Sequence, residues 1–205
     1  MDGPTSGALR IGMLGGAFDP PHRAHVALAN AALEQLALDR LHIVPTGQAW
    51  HKARALTDAA HRLEMCGLAF GTLERTVIDA RELHRQGPTY TVDTLLELHV
   101  QYPGAQLFLV MGADQARALP GWSRVNEVVR LAIICVAERD DSGLQTHMPA
   151  VAGLQPDRLQ WLQLPTSPIS ATTIRQQLAD KQDIRTLVPE SVARYIDQHH
   201  LYQTA

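Results

Sequence analysis

Cysteine is scarce: the 205 residues hold Cys66 and Cys135 and no others. One stands in a helical pattern and the other in a strand pattern, at a spacing that fits neither a metal nor a redox motif. A disulfide scaffold is excluded, and two buried free thiols fit a reducing cytoplasm, the expected location. Excess positive charge is also missing. Lys and Arg number 18 against 21 Asp and Glu, a net charge of −3. A nucleic-acid partner would call for a basic stripe, so none is expected, and any affinity for polyanions must be local. The opening residues Met1 to Leu9 carry no apolar core, so they read as a loose tail rather than a signal or membrane segment. No membrane partner, internal repeat or low-complexity tract is indicated. Hydrophobic residues at 45% and charged residues at 19% are globular values for one domain over 1–205.

What is present centres on Gly15-Gly16-Ala17-Phe18-Asp19-Pro20-Pro21-His22-Arg23-Ala24-His25. The apolar run Ile11 to Leu14 before it reads as a buried strand, and Val26, Ala29, Leu33 and Leu36 after it mark one face of a helix. Strand, tight glycine turn and helix start bring backbone N–H groups and a helix dipole to one spot, which suits an anion. Two prolines are tolerated only where the helix begins. His22 and His25, three apart, lean to one side of a first helical turn. The residues alone fit a phosphate site, and they also fit a plain structural turn with surface histidines. No Cys or Glu at suitable spacing completes a metal site, and neither the Walker pattern nor GxGxxG is matched.

The remaining chain alternates strand and helix signals. Strand runs are Leu41 to Val44, Thr76 to Asp79, Leu107 to Met111, Ile133 to Val136 and Trp161 to Leu164. Helices are expected after Asp58 with Leu63, Cys66 and Phe70 inward, over Thr91 to Val100, around Val125 to Val129, from Ile169 onward, and around Val192 to His199. Gly112-Ala113-Asp114 reads as a second glycine turn, and Glu138 to Gln155 as a polar surface excursion. Such alternation implies an α/β fold with a mostly parallel sheet and right-handed crossovers. A small helical part, 169–205, closes it. Ser170 is a good N-cap, Thr172 and Thr173 add hydroxyls, and Arg175 one turn in can reach back over the helix start. By itself this is also an ordinary capped surface helix.

GGAFDPPHRAH closely resembles the GGxFDPxHxGH signature of the nucleotidyltransferase family that carries an HxGH motif on a Rossmann-like, doubly wound sheet. Ala24 stands where that family usually has Gly. ISATTIR, far downstream, resembles the family's second signature, ISxTxIR. The resemblance implies strand order 3-2-1-4-5, with Gly15–Gly16 and Gly112–Asp114 facing one crevice. Within that family, Pro45 to Lys52, the segment Pro88 to Leu95, and Gly112-Ala113-Asp114 followed by Trp122 resemble the bacterial nicotinate mononucleotide adenylyltransferases. That group joins ATP and nicotinate mononucleotide to give nicotinate adenine dinucleotide and pyrophosphate.

The resemblance then implies a role for each residue. His22, His25, Lys52 and Arg175 are the catalytic residues, with the two histidines donating to the triphosphate. His25 or its neighbour steadies the departing pyrophosphate, and Lys52 arrives on its loop. Gly15, Gly16, Phe18, Asp19, Ser170, Thr172 and Asp114 bind ATP and its phosphates. Asp19 orients the turn, and Asp114 accepts from a ribose hydroxyl or orients the crevice. Tyr90, Thr91 and Trp122 hold the nicotinate ring; without the resemblance Tyr90 is a helix-start staple and Trp122 a loop anchor. Magnesium is carried by ATP, with no protein-bound metal and no tightly held organic cofactor. Two other readings stand beside this one: a sister nucleotidyltransferase using nicotinamide mononucleotide, phosphopantetheine or a polyol phosphate, and a nucleotide-binding sensor weakened by Ala24.

Overall fold

The computed structural model describes residues 7–47, 56–138, 150–165 and 167–203. Six strands, β1 (Arg10–Gly16), β2 (Arg40–Pro45), β3 (Thr76–Ile78), β4 (Gln106–Gly112), β5 (Ala132–Glu138) and β6 (Leu159–Gln163), form one sheet. Its order is β3-β2-β1-β4-β5-β6 and every pairing is parallel. The chain therefore starts mid-sheet, winds outward through β2 and β3, returns beside β1 as β4, and winds the other way. This is the doubly wound α/β order that the resemblance implied, with one further strand.

Parallel strands are buried on both faces, which is why they read as continuous apolar runs. Alternate residues serve two cores. Leu41, Ile43, Phe108, Val110, Ile133 and Cys135 face one cluster, covered by α1 (Arg23–Gln35), α2 (Ala59–Phe70) and the C-terminal helices α6 (Ala171–Ala179) and α7 (Glu190–Gln198). Ile11, Met13, Leu107, Leu109, Met111, Ile134 and Val136 face the other, covered by α3 (Thr91–Gln101), α4 (Ala113–Ala118) and α5 (Val125–Leu131). Each fully buried Leu, Ile or Phe contributes about 1.5–3 kcal/mol. Ile174, Val192 and Ile196 belong to the first cluster, so the C-terminal helices share a core with the sheet. Among the described residues no helix is long and apolar enough to cross a membrane.

Capping follows the sequence where caps were legible. Asp58 accepts from the Ala60 N–H at 2.8 Å and starts α2, and Gly104, at φ +78°, turns the chain out of α3. Four boundaries differ from expectation. Gly15 and Gly16 do not form the turn: they are the last rungs of β1, paired with Val44 and Pro45 of β2, and the bend begins at Ala17. Gly112 makes no separate turn either, since β4 runs straight into α4 with Gly112 as its N-cap. β6 begins at Leu159 rather than Trp161 because its pairing with Ile134 to Glu138 of β5 sets its length. β3 stops at Ile78, one residue short of expectation. Of the excursion from Glu138 to Gln155, the first residue extends β5 and Val151 is buried against the second core; residues 139–149 lie outside the described residues.

Candidate active site

The β1–β2 ladder reaches Gly16, whereas the β1–β4 ladder ends at Leu14 opposite Val110. Beyond that rung the two central strands part, at the carboxyl edge where the winding reverses and where open α/β sheets bind ligands. A cavity of about 850 Å³ occupies this seam. Its walls are Gly15 to Asp19, His22 and His25 from the first signature, Gly112 to Gln115 and Arg117 from α4, and Ile169 to Thr172 with Arg175 from the second. The two motifs, distant in sequence, share one space.

His22 is the N-cap of α1, with extended backbone, and His25 is its third helical residue. The His22 N–H donates to His25 Nδ1 at 3.3 Å, so the neutral His25 ring carries its proton on Nε2. The two imidazoles stack with centroids 3.6 Å apart, tighter than the shared side that the spacing suggested. The Phe18 ring meets His25 edge-on at 5.1 Å and Phe70 at 5.6 Å, and its own backbone sits at φ +47°, a costly region for a bulky residue. That same ring lies 3.2 Å from where a Gly16 Cβ would be, which explains glycine there by space rather than by conformation. The Asp19–Pro20 peptide is cis.

Asp19 is 2% exposed and ties the bend together. Its carboxylate accepts from the Tyr202 hydroxyl at 2.7 Å and from the Thr57 N–H at 3.3 Å, and its carbonyl accepts from Arg175 Nη1 at 2.7 Å. Burial, then the Asp19 charge, pushes the Tyr202 hydroxyl well above its ordinary range, so it stays a donor. Arg62, also 2% exposed, donates to the carbonyls of Thr57 and Ala17. Burial pulls its guanidinium down and the nearby Asp19 carboxylate pulls it up. Asp19 thus joins the bend to Thr57, Arg175 and Tyr202.

Ser170 caps α6: its Oγ accepts from the Thr173 N–H at 3.1 Å and lies 2.8 Å from Thr173 Oγ1. Arg175 Nη2 donates to Thr172 Oγ1 at 3.2 Å, which turns the guanidinium over the helix start toward the signature loop. Asp114 stands at the rim, 97% exposed, paired with Arg117 at 3.0 Å. The cavity wall therefore offers two imidazoles and two guanidiniums against one buried, fully engaged carboxylate and one exposed one.

Not every expected residue joins this wall. Tyr90 caps the start of α3 and Trp122 follows the turn after α4; both are half-buried against the second core. Neither they nor Thr91, the first residue of α3, line the cavity. Lys52 lies outside the described residues. Sequence reasoning missed Arg62, Thr57 and Tyr202. Arg62 left a trace, being a charge one turn before Cys66 and two before Phe70 on the buried face of α2. Thr57 and Tyr202 left none, since they reach Asp19 only through the fold.

The cytidylyltransferase-like family model matches residues 13–177, spanning both motifs and the seam between them. The chain belongs to this family. Within it, the chain is 52% identical to a protein of Albidiferax ferrireducens named "Probable nicotinate-nucleotide adenylyltransferase", over 96% of this chain and 99% of that one. A protein of the same name from Methylibium petroleiphilum is 41% identical, over 94% and 92% of the two chains. Nicotinic acid mononucleotide adenylyltransferase from Plasmodium falciparum, solved with NaAD, superposes at a TM-score of 0.73 and 19% identity, covering 95% of this chain and 97% of that one. That match shows the shared fold of the family member described here.

Proposed function

We propose that the protein transfers AMP from ATP to nicotinate mononucleotide, releasing pyrophosphate and forming nicotinate adenine dinucleotide in NAD biosynthesis. The observation that carries this reading is the single cavity onto which both signature motifs open. A 5′-phosphate oxygen of the mononucleotide attacks the α-phosphorus of ATP; the new P–O bond forms as the bond to pyrophosphate breaks. That oxygen is already anionic at pH 7, so no side-chain nucleophile or strong base is required. The protein's task is to align two polyanions and offset their repulsion. Two unit charges at about 4 Å repel by about 4 kcal/mol at an effective dielectric near 20, and several phosphates multiply this.

The cavity walls are suited to that task. Backbone groups at Gly15, Gly16 and Phe18, with the start of α1, are assigned to phosphate. His22 and His25 are assigned to the triphosphate, with the His25 Nε2–H as donor to the departing pyrophosphate. Ser170, Thr172 and Arg175 at the start of α6 are assigned to the β- and γ-phosphates, and Asp114 to ribose or to the crevice rim. Lys52 is proposed as a further mobile cation, and Tyr90, Thr91 and Trp122 as the pyridine contacts. Magnesium is assigned to the ATP substrate, whose phosphates it would bridge. The test is pyrophosphate release with ATP, magnesium and either mononucleotide. Faster turnover of the acid form is expected. Preference for the amide would reassign the specificity, and ATP binding without release would make the protein a sensor.

A further inference from the structure

Glu82 lies outside the cavity, 5% exposed, between β3 and α3. Its Oε1 accepts from Thr94 Oγ1 at 2.7 Å, and the Thr89 hydroxyl and the Gly47 N–H stand near enough to act as donors toward its carboxylate and favour the charged form. Burial pushes this carboxyl upward, while those three donors and the nearby Arg85 pull it down. Arg85 itself reaches Thr94 Oγ1 at 3.3 Å and Glu97 at 2.6 Å. The fit around Gly47 is close: a Cβ there would collide with the Glu82 carbonyl oxygen and come within 2.8 Å of Thr89 Cγ2.

These donors belong to two separate strips of chain. Gly47 follows Thr46, whose N–H donates to the Gly16 carbonyl at 2.8 Å, at the end of β1 where the cavity opens. Thr89 immediately precedes Tyr90 and Thr91, and Thr94 sits in the first turns of α3. One buried carboxylate therefore fastens the start of α3 to the strip beside the signature loop. We propose that Glu82 is a positioning residue for the mononucleotide half of the site, holding Thr89 to Thr91 in fixed relation to Gly16. This rests on the function proposed above.

A carboxamide of the same shape tests it. Glu82→Gln replaces one acceptor oxygen by an NH₂ among three donors; a hydroxyl can rotate to accept, but the Gly47 N–H cannot. Losing one buried charge-assisted bond predicts a rise on the order of tenfold in the KM for nicotinate mononucleotide. The KM for ATP should change by less than about twofold, since the α6 contacts are untouched. Thr94→Val removes one donor without touching the carboxylate and should give a smaller shift in the same direction. Hydrogen exchange of the Gly47 and Tyr90 amides should accelerate together in both variants. That readout decides the inference even if the wild-type protein turns over neither mononucleotide, a failure that would count against the proposed function alone. Equal rises in both KM values, or accelerated exchange at Gly47 with Tyr90 unchanged, would overturn the positioning role.

Discussion

Arg175 Nη1 donates to the Asp19 carbonyl oxygen at 2.7 Å, a bond between residues 156 positions apart. It fixes the second signature to the bend of the first and sets the guanidinium at the cavity wall. Arg175→Lys keeps the charge but not the planar fork that reaches both Asp19 and Thr172. Steady-state pyrophosphate release should fall in kcat/KM on the order of ten- to a hundredfold. A rate within twofold of wild type would show that a point charge suffices.

His25→Ala should lower kcat by on the order of 10²-fold, the scale of losing one transition-state donor. The His22 N–H also loses its acceptor, so a stability loss of about 1 kcal/mol should accompany it in thermal unfolding. A normal kcat with that same loss would leave His25 as a cap and nothing more.

Tyr202→Phe deletes a single hydroxyl and strips one donor from the buried Asp19 carboxylate. The expected cost is about 1–3 kcal/mol, or a Tm lower by roughly 2–4 °C per kcal/mol for a chain of this size. Calorimetry of the pair of proteins checks it, and identical curves would mean that Thr57 and the rest of the bend hold Asp19 unaided.

Acid should unfold the protein partly through Asp79. Burial pushes its carboxyl up, but the His42 ring at 2.7 Å and the Arg81 guanidinium hold it well below the ordinary carboxylate range. A depressed folded pKa stabilises the fold above the unfolded value, and that contribution fades as pH falls toward the folded one. Asp79→Asn should therefore be less stable than wild type at pH 7, with the gap narrowing steadily below about pH 4. Urea unfolding at several pH values measures it; a gap independent of pH would point to lost hydrogen bonds rather than lost charge.

Both thiols should be silent in the native protein. Burial pushes the Cys135 thiol up to about 12 and Cys66 higher still, and the thiolate is the reactive form. A disulfide-exchange reagent should titrate neither group until denaturant is added and then both. Rapid reaction of either one without denaturant would reveal local opening of the first core, to which both belong.

The strands were legible because a parallel sheet buries both faces, so Leu107 to Met111 and Ile133 to Val136 are unbroken apolar runs. Ser170 and Asp58 were legible because a cap is a local event, decided within three residues. Strand ends were less so. Gly15 and Gly16 look like a turn in isolation and become strand only because Val44 and Pro45 pair with them. Glu82 and Tyr202 were invisible for a related reason: their partners, Gly47 and Asp19, are met only once the chain is folded. The arrangement of both motifs around one space was readable through family resemblance, since periodicity does not order strands.

The early end of the β1–β4 ladder at Leu14 and Val110 leaves an open seam between the two central strands at their carboxyl edge. A nucleotide lodged there would act as a clasp across that seam. The protein should therefore resist heat better in the presence of substrate, by about 2.7 kcal/mol at a hundred times the dissociation constant. The gap that admits ATP would then also be the place where ATP lends the fold most of its added strength.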